Sequence, residues 1–206
     1  MMEPYIYVLS LKEEIESALF SSLLSIVRKE KAGRILAQKK KSHADTILAG
    51  ELLAMYAIRE VFGIPMSKQQ IQNDVHGKPF LSRHDNIHFN ISHSGNEVAV
   101  AVCDRPVGID IEHMRSWREP LARRICTPEE WEQLQKARNK EEELTKLWTQ
   151  KEAAVKMKGE GLSGIKNCSL ENICCFTKRR GETYVSCAWE QPPGKEVKEG
   201  MEFRGA

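Results

Sequence analysis

The chain has 206 residues, 41% of them apolar and 29% charged, with a formal charge of +2 at neutral pH. That length buries a core as one large domain or two small ones, and so even a charge balance gives no argument for nucleic acid as a partner. No apolar run approaches the roughly 20 residues of a membrane span, and no signal sequence opens the chain at Met1-Met2-Glu3-Pro4. The six cysteines, at positions 103, 126, 168, 174, 175 and 187, form no CxxC pair and no zinc-spaced Cys/His cluster. Free thiols in a reducing cytoplasm are the expectation.

In chain order, residues 5–10 read as a strand. Leu11 to about Lys31 reads as one or two helices, with Ile15, Leu19, Leu23 and Ile26 at helical spacing. The basic stretch of Lys29, Lys31, Arg34, Lys39, Lys40 and Lys41 is either a solvated helix face or an anion-binding rim. Ser42–Phe62 is a second helix, stopped by Gly63-Ile64-Pro65. Gly77-Lys78-Pro79-Phe80-Leu81 is a turn entering an extended segment, Ile87–Ser92 alternates like a strand, and Glu97–Cys103 is another, before the turn Asp104-Arg105-Pro106. The pattern then restarts. Val107–Glu112 is a strand, Thr127-Pro128-Glu129-Glu130 has the cap, proline and early acids of a helix start, and Glu141–Lys158 is a longer helix ended by Gly159-Glu160-Gly161-Leu162. Weak strands follow at Ile173–Phe176 and Tyr184–Trp189. The expected fold is α+β (α/β), a pseudo-twofold arrangement of two similar strand-helix-strand subdomains over residues 1–104 and 105–190. Residues 191–206, rich in Pro, Gly, Lys and Glu, are expected to be a flexible tail.

Two stretches carry the chemistry. In Val107-Gly108-Ile109-Asp110-Ile111-Glu112 the two acids alternate, so both leave one face of a strand. Like charges so placed repel unless a cation lies between them. A D-x-E by itself is most simply an exposed strand edge. In Trp148-Thr149-Gln150-Lys151-Glu152-Ala153-Ala154-Val155-Lys156, Glu152 and Lys156 share a helix face one turn apart. The bland reading is a surface ion pair of little worth, but Trp148 on the same face argues against full solvation. Three carboxylates and a lysine that converge suit a Mg²⁺-assisted reaction on a phosphate ester or anhydride. Asn90-Ile91-Ser92-His93-Ser94-Gly95 closes a strand with a glycine turn; it reads as a polar turn or as a phosphate-holding loop. A Ser/His nucleophile is the poorer reading, for no G-x-S-x-G elbow is present.

Together and in order, Gly77-Lys78-Pro79, Phe89-Asn90-Ile91-Ser92-His93-Ser94, Val107–Glu112 and Trp148–Lys156, extended by Gly159-Glu160-Gly161-Leu162, resemble the 4′-phosphopantetheinyl transferases. The likeness covers residues 28–165 and is to the larger, two-subdomain (surfactin-synthetase-activating) class. It implies the fold of that family and a Mg²⁺-dependent transfer of phosphopantetheine from coenzyme A to a serine of an apo acyl or peptidyl carrier protein, leaving adenosine 3′,5′-bisphosphate. It implies a cytoplasmic monomer with neither nucleic acid nor membrane as partner. Carried over, Asp110, Glu112 and Glu152 are the metal site, Glu152 helps deprotonate the serine, and Lys156 stabilises the leaving phosphate. Lys78, Lys151 and Lys156 lie around the cofactor. Ser92 and His93 hold the phosphates of the adenosine end, Lys31 and Arg34 face the 3′-phosphate, and Glu130 is a further acid near the metal. Arg115, Arg118, Arg123 and Arg124 are expected to receive an acidic carrier near the helix after Gly161 and the segment 113–128. The chain departs from the pattern in having Thr46-Ile47 where the family often has an Arg-Thr pair, and no clear closing strand after Trp189. The competing readings are a non-catalytic binder of coenzyme A or carrier, and a Mg²⁺-dependent nucleotide pyrophosphate hydrolase.

Overall fold

The computed structural model describes residues 2–75, 77–159, 165, 168–170 and 173–190, together with the backbone of 203–205. The first half runs β1 (Tyr5–Ser10), α1 (Ser17–Leu24), α2 (Lys29–Leu36), α3 (Lys41–Phe62), β2 (Ile71–Asn73), β3 (Pro79–Leu81), β4 (His88–Ser94) and β5 (Glu97–Cys103). The second runs β6 (Val107–His113), α4 (Glu119–Ile125), α5 (Pro128–Lys136), α6 (Lys140–Lys158), β7 (Ile173–Arg180) and β8 (Thr183–Glu190), with β9 (Phe203–Gly205) after it.

The two halves share one plan. Each opens with a strand, inserts helices, and returns with a hairpin whose last strand pairs antiparallel with the first: β5 with β1, and β8 with β6. The sheet orders are β4-β5-β1-β9 and β7-β8-β6. Two alike α+β subdomains are thus what the strand-helix-strand reading anticipates.

β5 shows how sequence period becomes layers. It is apolar without interruption from Val98 to Cys103 because both of its faces are covered. Val98, Val100 and Val102 pack under α3 with Leu53, Ala57 and Ile58. Ala99, Ala101 and Cys103 face the other way, into a cluster with Ile6, Ile109, Ile111, Val185 and Cys187 that the two sheets share. On the far side, Leu144, Ala154 and Val155 of α6 pack with Ala122 and Ile125 of α4.

Element ends follow local chemistry. α3 and α6 stop at Gly63 and Gly159, both in the left-handed conformation that a side chain resists. α5 starts on a Thr127–Glu130 capping box. Gly95, at φ +59°, opens the two-residue turn joining Ser94 to Glu97.

Of the one or two helices expected over 11–31 there are two: α1 ends at Leu24 and α2 begins at Lys29. Two expectations need correction, and one helix is additional. α4 was not anticipated. β4 runs on to Ser94, so Ser92 and His93 stand on a strand rather than a loop. The segment 191–206 is not tail throughout: the backbone of Phe203–Gly205 pairs in parallel with Ile6–Val8 of β1 and supplies an edge strand. The rest of that segment, and the expected docking region after Gly161 up to Gly164, lie outside the described residues.

Candidate active site

β6 is the strand on which the site is built. Its inner edge pairs with β8. Its outer edge runs alongside β4, and there side chains replace a backbone ladder. The Ile109 amide donates to Asn90 Oδ1 at 3.0 Å, and the Ile111 and His113 amides donate to Ser92 Oγ and Ser94 Oγ, each at 3.4 Å. Behind β6 lies α6, and the approach is possible only because residue 108 is glycine. A Cβ there would fall 2.0 Å from the Ala153 carbonyl oxygen and 2.4 Å from the Met157 amide nitrogen. The close fit brings Asp110 and Glu112 of β6 beside Glu152 and Lys156 of α6, and all four line one cleft of about 520 Å³.

Asp110 is buried, at 3% exposure. Its Oδ1 accepts from Lys156 Nζ at 2.6 Å and from Ser92 Oγ at 2.9 Å. Its Oδ2 is buried with no hydrogen-bond partner. Burial pushes its pKa up, against the pull of Lys156. Glu112 Oε1 accepts from the Arg115 guanidinium and from Trp148 Nε1 at 3.3 Å, and its Oε2 accepts from Ser94 Oγ at 3.2 Å. Glu152 is pushed up to about 7, first by burial, with Lys156 opposing and the charges of Asp110 and Glu112 adding to the rise. A carboxyl so raised is suited to taking a proton near neutral pH.

The same groups suit a divalent cation in part. The donors are all carboxylate oxygens, the hard ligands Mg²⁺ favours, and Asp110 Oδ2 is a buried acceptor lacking a donor. The chemistry fits. Among the described residues, however, no three acidic, histidine or cysteine groups stand together within coordinating reach. Lys156 and Arg115 hold one oxygen each of Asp110 and Glu112.

Other expected residues are divided. His93 lines the same cleft. Its ring lies 5.4 Å from that of His43, and its pKa is lowered by burial, then by His43 and Lys156. Lys78 also lines the cleft, yet its Nζ donates to the Met157 carbonyl at 2.7 Å, at the end of α6. The Ser92 hydroxyl is engaged with Asp110, Lys156 and the Ile111 amide. Lys31 is ion-paired with Glu51 at 2.7 Å. Arg34 is 61% exposed on α2 and paired with Glu30, and is not among the cleft residues. Lys151 is a correction. It is fully buried, donating to the Ile125 carbonyl and paired with Glu130, each at 2.7 Å, so neither it nor Glu130 reaches the cleft. Thr46 is buried and donates to the His43 carbonyl, while Ile47 packs into the α1–α3 cluster.

Arg115 as the partner of Glu112, and Asn90 and Ser94 as acceptors for β6, were missed. The available signal was the two-residue period of Asn90, Ser92 and Ser94, which puts all three on one face of β4.

Comparison with known proteins places both halves in one family. A family model described as the 4′-phosphopantetheinyl transferase superfamily matches residues 106–195, and one described as 4′-phosphopantetheinyl transferase, N-terminal, matches residues 14–105. The chain is 38% identical over 118 residues to 4′-phosphopantetheinyl transferase psf-1 of Bacillus pumilus, covering 56% of this chain and 51% of that one. It is 36% identical over 151 residues to 4′-phosphopantetheinyl transferase gsp of Aneurinibacillus migulanus, covering 72% and 63%. It is 32% identical over 151 residues to 4′-phosphopantetheinyl transferase Sfp of Bacillus subtilis (strain 168), covering 72% and 66%. The matches therefore span between half and just under two thirds of these relatives' lengths. With both halves matched by models of one family, the chain belongs to the 4′-phosphopantetheinyl transferase superfamily, in its larger, two-subdomain class.

Proposed function

We propose that this chain transfers the 4′-phosphopantetheine arm of coenzyme A to a serine of an apo carrier protein in a Mg²⁺-dependent reaction, releasing adenosine 3′,5′-bisphosphate. The observation that carries this reading is the gathering of Asp110, Glu112, Glu152 and Lys156 in one cleft, with Asp110 Oδ2 left unpartnered. A binder has no need of a carboxylate set in which burial, with the charges of Asp110 and Glu112 added, raises Glu152 to about 7.

In this reading the carrier serine oxygen bonds to the phosphorus that bears pantetheine, and the bond from that phosphorus to the bridging oxygen breaks. Glu152 accepts the serine proton, which a weak hydroxyl nucleophile must lose. The Lys156 ammonium compensates the charge that grows on the departing phosphate. Asp110, Glu112 and Glu152 are the residues that would hold Mg²⁺, which when bound neutralises pyrophosphate charge. His93, whose pKa burial, then His43 and Lys156 lower, offers the adenosine phosphates an imidazole N–H donor rather than a charge. Lys78 lines the cleft at the end of α6. Arg34 and Lys151 are withdrawn from the cofactor set.

Arg115 is occupied by Glu112 and Arg123 by Glu119, so an acidic carrier is left Arg118 and Arg124 on and beside α4. A cytoplasmic, monomeric protein remains part of the proposal. The cytoplasmic part is supported by six free cysteines; among the described residues no helix is long and apolar enough to cross a membrane.

The test is release of adenosine 3′,5′-bisphosphate from coenzyme A and Mg²⁺, with and without an apo carrier. Release that requires the carrier supports the transferase. Release without it supports the pyrophosphate hydrolase, and coenzyme A binding with no release supports the non-catalytic binder.

A further inference from the structure

The seam between β4 and β6 has a repeat finer than either strand's hydrogen-bonding role. Each rung joins a β4 side chain to a β6 amide nineteen residues later: Asn90 to Ile109, Ser92 to Ile111, Ser94 to His113. Two rungs carry a second bond. Ser92 Oγ also donates to Asp110 Oδ1 at 2.9 Å, and Ser94 Oγ also donates to Glu112 Oε2 at 3.2 Å. A hydroxyl can do both at once, since it accepts through its lone pairs and donates through its proton. The first rung has no such second bond, because the residue preceding Ile109 is Gly108, and its acceptor is an amide oxygen. The chemistry of the β4 side chain thus follows what stands opposite: an oxygen acceptor where only an amide must be met, a hydroxyl where a carboxylate must be held as well.

From this repeat we infer that Ser94 is a positioning residue for Glu112, fixing that carboxylate in the cleft as Ser92 does Asp110. Glu112 Oε2 has Ser94 as its donor, while Oε1 is held from the other side by Arg115 and Trp148. With Ser94 removed, Glu112 is drawn by Arg115 and Trp148 alone, toward the guanidinium that lies over the Trp148 indole. The inference rests on the proposed metal-binding role of Asp110, Glu112 and Glu152. Groups that orient a ligating carboxylate matter to metal affinity by about 10- to 100-fold.

The experiment is a titration with Mn²⁺ at saturating coenzyme A, following free Mn²⁺ by its electron paramagnetic resonance signal. It compares the wild type, Ser94→Ala, Ser94→Thr and Glu112→Gln, with a thermal melt of each. Ser94→Ala should bind Mn²⁺ about 10-fold more weakly. Ser94→Thr, which keeps the hydroxyl on a β-branched residue suited to a strand, should bind within about threefold of the wild type. If Ser94→Ala melts lower but binds Mn²⁺ like the wild type, while Glu112→Gln loses it, Ser94 is only structural and the inference fails with the metal site intact. Equal weakening in Ser94→Ala and Ser94→Thr also overturns it, because the hydroxyl is then not the cause. If Glu112→Gln or the wild type shows that Glu112 plays no part in Mn²⁺ binding, the metal reading itself fails and takes the inference with it.

Discussion

The closest backbone approach around the site is at Gly108, and replacing it with alanine tests how the site is assembled. The added Cβ would lie 2.0 Å from the Ala153 carbonyl oxygen and 2.4 Å from the Met157 amide nitrogen. Both are backbone atoms of α6, so no side chain can swing aside. To restore ordinary contact, β6 and α6 must part by on the order of 1 Å. Overpacking of this kind costs about 3 kcal/mol, which in a domain of this size lowers the melting midpoint by roughly 6–12 °C. The same displacement moves Asp110 and Glu112 from Glu152 and Lys156, stretching the 2.6 Å Lys156–Asp110 pair. A misplacement of that size costs about 100-fold in rate. Gly50→Ala is the control. There a Cβ would meet only the side-chain methyls of Ile91 and Val98, at 3.0 and 3.3 Å, in the middle of α3. Methyls can yield by tenths of an ångström, and alanine gains about 1 kcal/mol in helix propensity, so this variant should melt close to the wild type. Circular-dichroism melts and transfer rates for the two variants decide the matter. A Gly108→Ala protein that melts within about 2 °C of the wild type, or that is hurt less than Gly50→Ala, would refute the reasoning.

Two other residues give sharp expectations. Lys151→Met removes a fully buried ammonium and leaves Glu130 and the Ile125 carbonyl without it; it should cost about 3 kcal/mol in denaturant unfolding while leaving KM for coenzyme A unchanged in the folded protein, and a selective rise in that KM would return Lys151 to the cofactor set. Tyr184 donates to Glu142, which lowers the Glu142 pKa and, after burial, helps push that of Tyr184 up to about 12. A depressed carboxylate stabilises the fold above its unfolded pKa and loses that contribution as pH falls through the folded value, whereas a raised phenol loses its contribution as pH rises above its unfolded value. Tyr184→Phe should therefore lower the melting midpoint by a margin that is flat from about pH 5 to 9 and shrinks on either side. A margin that grows in acid would contradict the pairing.

The parts of the fold that depend on one strong period were legible. Asp110 and Glu112 alternate against Ile109 and Ile111 on β6, and Glu152 and Lys156 stand one turn apart on α6, so their shared faces follow from 2.0- and 3.6-residue geometry. α4 was not legible: it has seven residues, two consecutive arginines and only Ala122 and Ile125 buried, too little for a helical stripe. β9 was not legible because its pairing is through the backbone to a strand almost two hundred residues away, and its sequence is turn-like. Lys151 was misplaced for a different reason. It sits seven residues after Leu144 and four after Leu147, on the stripe that packs against α4, but a lysine beside a catalytic-looking glutamate invites the functional reading. The stripe was the better guide, since a paired lysine can stand in a core.

Group transfer to a carrier should depend on the carboxylate set. It is tested most directly by the intact mass of an apo acyl carrier protein after incubation with this chain, coenzyme A and Mg²⁺, beside Glu152→Gln. The carrier should gain one phosphopantetheine with the wild type, and the gain should be lost or greatly slowed with Glu152→Gln. No gain on fatty-acid or peptide-synthetase carriers by a folded protein that still binds coenzyme A, or an equal gain with Glu152→Gln, would contradict it.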